Sequence, residues 1–209
     1  MAENKVLPAV LMSDFDVSLF QSGKHFRLYE KMCAQLRKHE TSEGCYFTVY
    51  APNAYQVTVV GDFNKWNGEQ HVLFPRWDKS GIWEGFIPGI KHGTIYKYKV
   101  YPHKFGRVRL KSDPYAFKME HPPLSGSIVW NMDYSWKDKD WMTERVKKNG
   151  RNKPHSVYEV HFGSWRFKPG ENRPLNYMEA AIELTEYVKA MGFTHLEFMP
   201  LAEYPYEPS

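Results

Sequence analysis

An antiparallel β-sandwich followed by a strand, helix and strand is the architecture this sequence predicts, and three observations carry it. Between Cys45 and Tyr134, short alternating runs recur with Asn-Gly, Ser-Gly, Pro-Gly and Pro-Pro punctuation between them. After Pro154 the period changes, and Asn176 to Met191 reads as a helix between strands Ser156 to Phe162 and His195 to Met199. A hydrophobic content of 42% over 209 residues supplies the core that both parts need.

The elements follow in chain order. Phe26, Tyr29, Cys33 and Leu36 recur at three- and four-residue steps, which predicts a short helix from about His25 to Arg37. The charged run Arg37 to Glu43 then reads as a solvated loop. Strands are expected at Cys45 to Tyr50, Tyr55 to Val60, Ile82 to Ile87, Thr94 to Tyr101, Val108 to Leu110 and Ser127 to Asn131. Their number and spacing predict a sandwich. Lys137 to Lys153 is a charged connector, most simply a soluble linker. In the last segment Asn176 as N-cap and Glu179 three residues on form a capping-box pattern. Tyr177, Ala181, Leu184, Val188 and Met191 supply an apolar stripe, and Gly192 closes the helix. Strand, helix and strand within so few residues imply parallel strands joined by a right-handed crossover.

Composition excludes several classes. The net charge of +4 is small and spread along the chain, so no strong footprint for nucleic acid is present. No apolar run approaches the length of a membrane span, and Pro8 interrupts the only candidate leader. Cys33 and Cys45 lie in apolar surroundings and read as reduced structural thiols, as in a cytoplasmic protein. No metal-ligand spacing occurs, and no cofactor is expected. The aromatic content of 16% suits carbohydrate or protein recognition, although sandwiches also fill space with rings.

The stretch Tyr50 to Trp66, YAPNAYQVTVVGDFNKW, organises the functional reading. Its middle is a strand with Tyr55, Val57 and Val59 on one face, ended by Gly61-Asp62-Phe63-Asn64. Trp66 sits just beyond, on a polar turn, where a flat ring can stack on the C–H face of a sugar; the plainer reading is that it caps the core. In Thr94 to Tyr101, Lys97 and Lys99 share a face with Ile95 and Tyr101, opposite Tyr96, Tyr98 and Val100. Lys97 therefore points to solvent, able to donate to sugar hydroxyls or to serve as an ordinary surface lysine.

Taken together, the chain resembles the N-terminal part of bacterial-type 1,4-alpha-glucan (glycogen) branching enzymes of the alpha-amylase superfamily. The motifs are SDFDVSLF at Ser13 to Phe20, KHFRLYEKM at Lys24 to Met32, YAPNAYQVTVVGDFNKWN at Tyr50 to Asn67, LKSDPYAF at Leu110 to Phe117, SVYEVHFGSW at Ser156 to Trp165 and MGFTHLEFMPLAEYPYEPS at Met191 to Ser209. The APNA and GDFNxW elements alone would indicate only the wider starch-type carbohydrate-binding module, found also in debranching enzymes and a kinase regulatory subunit.

The resemblance implies an immunoglobulin-like β-sandwich and, after it, the opening βαβ of a (β/α)8 barrel. It divides the chain into a helical lead-in at 1–43, a sandwich module at 44–136, a linker at 137–153 and the barrel start at 154–209. It implies a retaining transfer of α-1,4-glucan segments to 6-hydroxyls, chemistry that needs a nucleophile and an acid about 5 to 5.5 Å apart. A complete barrel takes about 250 residues, so the chain is expected to lack those groups and to be inactive alone. Glu159, Glu197 and Glu203 are the acids at hand, and none has a scaffolded partner.

Glycan binding is the activity expected of the sandwich, with Trp66 and Lys97 at the matching places. Binding members commonly carry a second tryptophan near Arg107 to Lys111, absent here, and Trp130 falls near a position often held by a polar contact residue. The expected partner is an α-1,4-glucan (glycogen, amylose or a maltooligosaccharide), and the uncovered βαβ unit is expected to exchange its amides faster than the sandwich unless it docks on the sandwich or on another chain. A free-standing glucan-targeting subunit and a purely structural sandwich are the competing readings.

Overall fold

The computed structural model describes residues 3–103 and 106–201. It divides into two units, residues 1–134 and 135–209.

The first unit is built on two antiparallel sheets. The lead-in carries helix α1 (Asp14–Gln21). Nine strands follow: β1 (Cys33–His39), β2 (Ser42–Tyr50), β3 (Ala54–Gly61), β4 (Phe74–Pro75), β5 (Ile82–Pro88), β6 (Ile95–Pro102), β7 (Arg109–Lys111), β8 (Lys118–Met119) and β9 (Ser127–Ile128). One sheet runs β1-β2-β5-β4, and the other runs β3-β6-β9-β8 with β7 also paired to β6. Alternation along the strands sends Phe47, Val49, Trp83 and Ile87 from the first sheet against Val57, Val59, Tyr96 and Tyr98 from the second. Phe47 and Tyr96 meet edge to face at 5.1 Å. The observed architecture is mainly β with antiparallel sheets.

Three expectations are corrected in this unit. No helix spans His25 to Arg37. Residues Cys33 to His39 form β1, paired residue for residue with β2 from Cys33↔Thr48 to His39↔Ser42, and Arg37 to Glu43 is the hairpin itself, not a solvated loop. The apolar spacing fits a helix, but a nine-residue partner strand offers a continuous ladder, and tertiary pairing overrides a marginal local period. Phe26, assigned to the apolar stripe, is 88% exposed. The lead-in helix lies earlier, at α1, where the Ser13 hydroxyl accepts from the Asp16 amide and the Asp16 carboxylate accepts from the Ser13 amide.

The third correction concerns Tyr55. The β3–β6 register shifts between Ala54 and Gln56, leaving Tyr55 as the extra residue of a β-bulge. It therefore leaves the face of Val57 and Val59 and stands exposed.

The second unit contains α2 (Lys139–Lys148), β10 (Val157–Val160), α3 (Phe162–Trp165), α4 (Tyr177–Ala190) and β11 (His195–Phe198). The charged connector thus holds a helix, and basic Arg145, Lys147 and Lys148 in its last turn complement the helix dipole. β10 and β11 pair in parallel, as a crossover through α4 requires. At α4 the Asn176 side chain accepts from the Glu179 amide and the Glu179 carboxylate accepts from the Asn176 amide. The buried stripe is Ala180, Leu184 and Val188; Tyr177, Ala181 and Met191 are exposed, so the expected stripe lies partly on the wrong flank. No helix among the described residues is long and apolar enough to cross a membrane.

Candidate functional site

β3 delivers the chain to a turn whose geometry is set by Asn64. After Gly61 one 3-10 turn, Asp62–Asn64, reverses direction. The Asn64 carbonyl accepts from the Gly61 amide at 3.0 Å, and its Nδ2 donates to the Val59 carbonyl at 2.9 Å. The same amide lies 3.1 Å from Nδ1 of His71, a buried imidazole packed edge to face on Phe63. One asparagine side chain thereby substitutes for the ladder partners that the backbone loses where the strand ends.

Lys65 and Trp66 then both take left-handed backbone conformations, with φ of 52° and 61°. Two successive non-glycine residues in that region are costly and persist where the surroundings over-determine them. The Trp66 amide donates to the Gly61 carbonyl at 2.9 Å, and the indole Nε1 donates to Asp62 Oδ1 at 2.9 Å. The ring is fixed at its polar edge, and the residue remains 38% exposed.

Gly68 lets the rest of the turn lie flat on the sheet. A Cβ there would collide with Thr58 Oγ1 and press on Val60, so only glycine brings the backbone this close. Thr58 and Val60 are the outward residues of β3, buried because this turn covers them. Val60 stands opposite Lys97, and Thr58 opposite Lys99, so both lysines share the outer face. The expected alternation on β6 is observed: Tyr96 and Tyr98 are buried, and Lys97 is partly exposed with its Nζ donating to Ser125 Oγ at 2.8 Å.

Beneath that face the inward hydroxyls of Tyr96 and Tyr98 both donate to Asp113, at 2.7 and 3.0 Å. Burial pushes the Asp113 carboxyl up, while the Tyr115 amide and the two hydroxyls favour its ionised form. These bonds hold the β6 backbone from below and so hold the lysines above it. Trp130 follows β9 with the outward parity of Ile128, which pairs with Ile95 on the face of Lys97; its ring lies 4.2 Å from that of His92, with Lys118 Nζ 3.7 Å from its centroid. Both cysteines are buried and free, and burial raises their thiols.

The sequence reading placed Asn64 in the strand-ending turn but not its bonds to Gly61 and Val59, and it missed His71. Nothing local announced His71.

In the second unit Glu159 and Glu197 are abreast in register on neighbouring parallel strands, both exposed, rather than opposed across a cleft. Glu203 lies outside the described residues.

The first unit is a sandwich of two antiparallel sheets, and most of its strands fall within a stretch that matches a known family. Residues 33–116 match carbohydrate-binding module 48 (isoamylase N-terminal domain). Over about 95% of its length the chain is similar to curated 1,4-alpha-glucan branching enzymes. It is 46% identical over 201 residues to 1,4-alpha-glucan branching enzyme GlgB of Gloeobacter violaceus, covering 95% of this chain and 27% of that protein. With the Aquifex aeolicus protein of the same name it shares 44% over 198 residues, covering 94% and 31%. The chain thus spans roughly a quarter to a third of the length of these curated relatives. In fold it resembles Klebsiella pneumoniae pullulanase complexed with maltotriose, with a TM-score of 0.58 and 21% identity over 84% of this chain and 18% of that one.

Proposed function

We propose that the sandwich binds α-1,4-glucan on the outer face of its five-stranded sheet, Trp66 stacking on a glucose ring and Lys97 donating to its hydroxyls. The observation that carries this reading is the Trp66 turn. It places two strained residues in succession, ties the indole nitrogen to Asp62 and leaves the ring accessible just past β3, the strand that pairs with lysine-bearing β6. A pyranose offers C–H groups on its faces and hydroxyls around its rim, and one flat ring with a nearby donor meets both. A single platform supports an affinity of about 1 mM, or roughly 4 kcal/mol.

The protein is, on this reading, the module-bearing part of a cytoplasmic branching enzyme of glycogen biosynthesis, and the βαβ unit is the opening of a (β/α)8 barrel. The face of β10 and β11 that carries Glu159 and Glu197 is then the barrel interior, since α4 covers the other through Val160, Leu184 and Val188. In that enzyme the module holds the glucan chain while carboxylates on other barrel strands cut an α-1,4 bond and pass the segment to a 6-hydroxyl. Glu159 and Glu197, abreast on neighbouring strands, are not an opposed acid pair of that kind, and glucan binding is the activity proposed for this chain.

Migration in a native gel containing glycogen tests the reading. The unaltered chain is expected to be retarded, and Trp66→Ala to lose that retardation with an unchanged circular dichroism spectrum. Equal retardation of the two proteins would remove Trp66 from the site. No branching is expected, and a shift in the iodine absorbance of amylose on incubation with the chain would contradict the assignment.

A further inference from the structure

We infer that the glucan surface has a second aromatic platform, formed by Tyr55 and Tyr101, which takes only chains long enough to reach it from Trp66. The inference rests on the reading that the outer face of this sheet binds α-glucan, and it extends that face.

The β-bulge is the origin of the platform. Without the extra residue Tyr55 would follow the alternation of Val57 and Val59 into the core; with it, the side chain emerges beside Tyr101. The two rings lie 5.9 Å apart and inclined at 54°, and the His103 ring is 5.9 Å from Tyr55 on the same flank. Tyr55 remains 54% exposed, so the pair presents an open aromatic surface. Lys99 sits with its Nζ 5.5 Å from the Tyr101 centroid.

Position along β6 links this seat to the first. Lys97, Lys99 and Tyr101 alternate on one face, so Tyr101 lies about 13 Å from Lys97 along the strand, a span of a few glucosyl residues. Between them the face offers Lys99 as a donor and Gln56 opposite Tyr101. Rings with polar tips, separated by ammonium groups, form a track for a linear polyhydroxylated chain: faces stack on the rings and rims meet the donors. An acidic or phosphorylated partner would find the lysines but have no use for two inclined phenols.

The test is chain-length dependence, read by isothermal titration of the chain with maltotriose and with maltoheptaose. Trp66→Ala is expected to weaken both ligands. Tyr55→Ala is expected to leave maltotriose unchanged and to weaken maltoheptaose about fivefold, with Tyr55→Phe restoring most of the loss because the ring face is kept. If Tyr55→Ala binds maltoheptaose as the unaltered protein does, while Trp66→Ala loses it, the second platform is wrong and the glucan-binding reading stands. Equal weakening of both sugars by Tyr55→Ala would also overturn the platform, because a disturbance of the first site would then account for it. If the unaltered chain binds neither sugar, both readings fall.

Discussion

His71 is the residue on which the presentation of Trp66 turns. Its Nδ1 lies within hydrogen-bond reach of Asn64, and the neutral ring accepts there while an imidazolium cannot. Burial, reinforced by the charge of Lys5, lowers the His71 pKa from its ordinary 6.5. A lowered value means that the fold favours the neutral form. The resulting stabilisation is fully present above pH 6.5 and is lost as pH falls through the depressed value. Glucan binding is therefore expected to weaken on acidification below that point, followed as gel retardation against pH. Retention unchanged down to about pH 4.5 would break the link between His71 and the turn. Residue-scale legibility divides along the same line. The outward side of Lys97 and the turn that carries Trp66 were readable because alternation and a strand-ending turn are local patterns. Tyr55 was misassigned because a bulge is fixed by cross-strand register, which has no signature in the bulged strand alone.

Elements obey the same division between local and tertiary causes. The α4 helix was legible because its cap, interior and closing glycine all agree. Asn176→Ala should cost about 1 kcal/mol of stability in the second unit, measured by denaturant titration, and an effect near zero would make the capping box ornamental. The β1 strand was illegible because its residues repeat at helical spacing, and the hairpin with β2 decided the outcome. A buried ion cluster anchors α1 in the same unit. Arg76, almost wholly buried, donates to Asp78 at 2.9 Å, Glu84 at 2.7 Å, Asp14 at 3.0 Å and the Met12 carbonyl at 2.8 Å. Asp14 begins α1, so the guanidinium ties the lead-in to the rim of the first sheet. Burial pushes the Glu84 carboxyl up, and Arg76 opposes that shift by favouring the anion. Arg76→Ala would leave Glu84 buried and unpaired, with an expected loss of about 3 to 5 kcal/mol in chemical denaturation. A loss below about 1 kcal/mol would show that the cluster contributes little.

Across the whole molecule, the two units differ in how completely each buries its own apolar groups. The sandwich encloses a core of aromatic and β-branched residues between two sheets. The second unit packs Val160, Leu184 and Val188 between one helix and two strands, while Met178, Ile182 and Phe198 stand exposed. Amide exchange in β10 and β11 is accordingly expected to be faster than in β2, β5 and β6, and equal protection would contradict this ranking. The change of period after Pro154 announced the parallel strands of the second unit in the sequence, whereas the start of that unit at residue 135 and the helix at Lys139–Lys148 lay in a charged run that read as a connector.

The central claim is that the outer face around Trp66 and Lys97 takes an α-glucan. Titrating isotopically labelled protein with maltoheptaose while recording amide and indole chemical shifts tests it most directly. The account predicts progressive shifts for the Trp66 indole, Lys97, Lys99 and Tyr101, with the buried strands β2 and β5 unmoved. Shifts confined to other surfaces, or none at millimolar sugar, would contradict it.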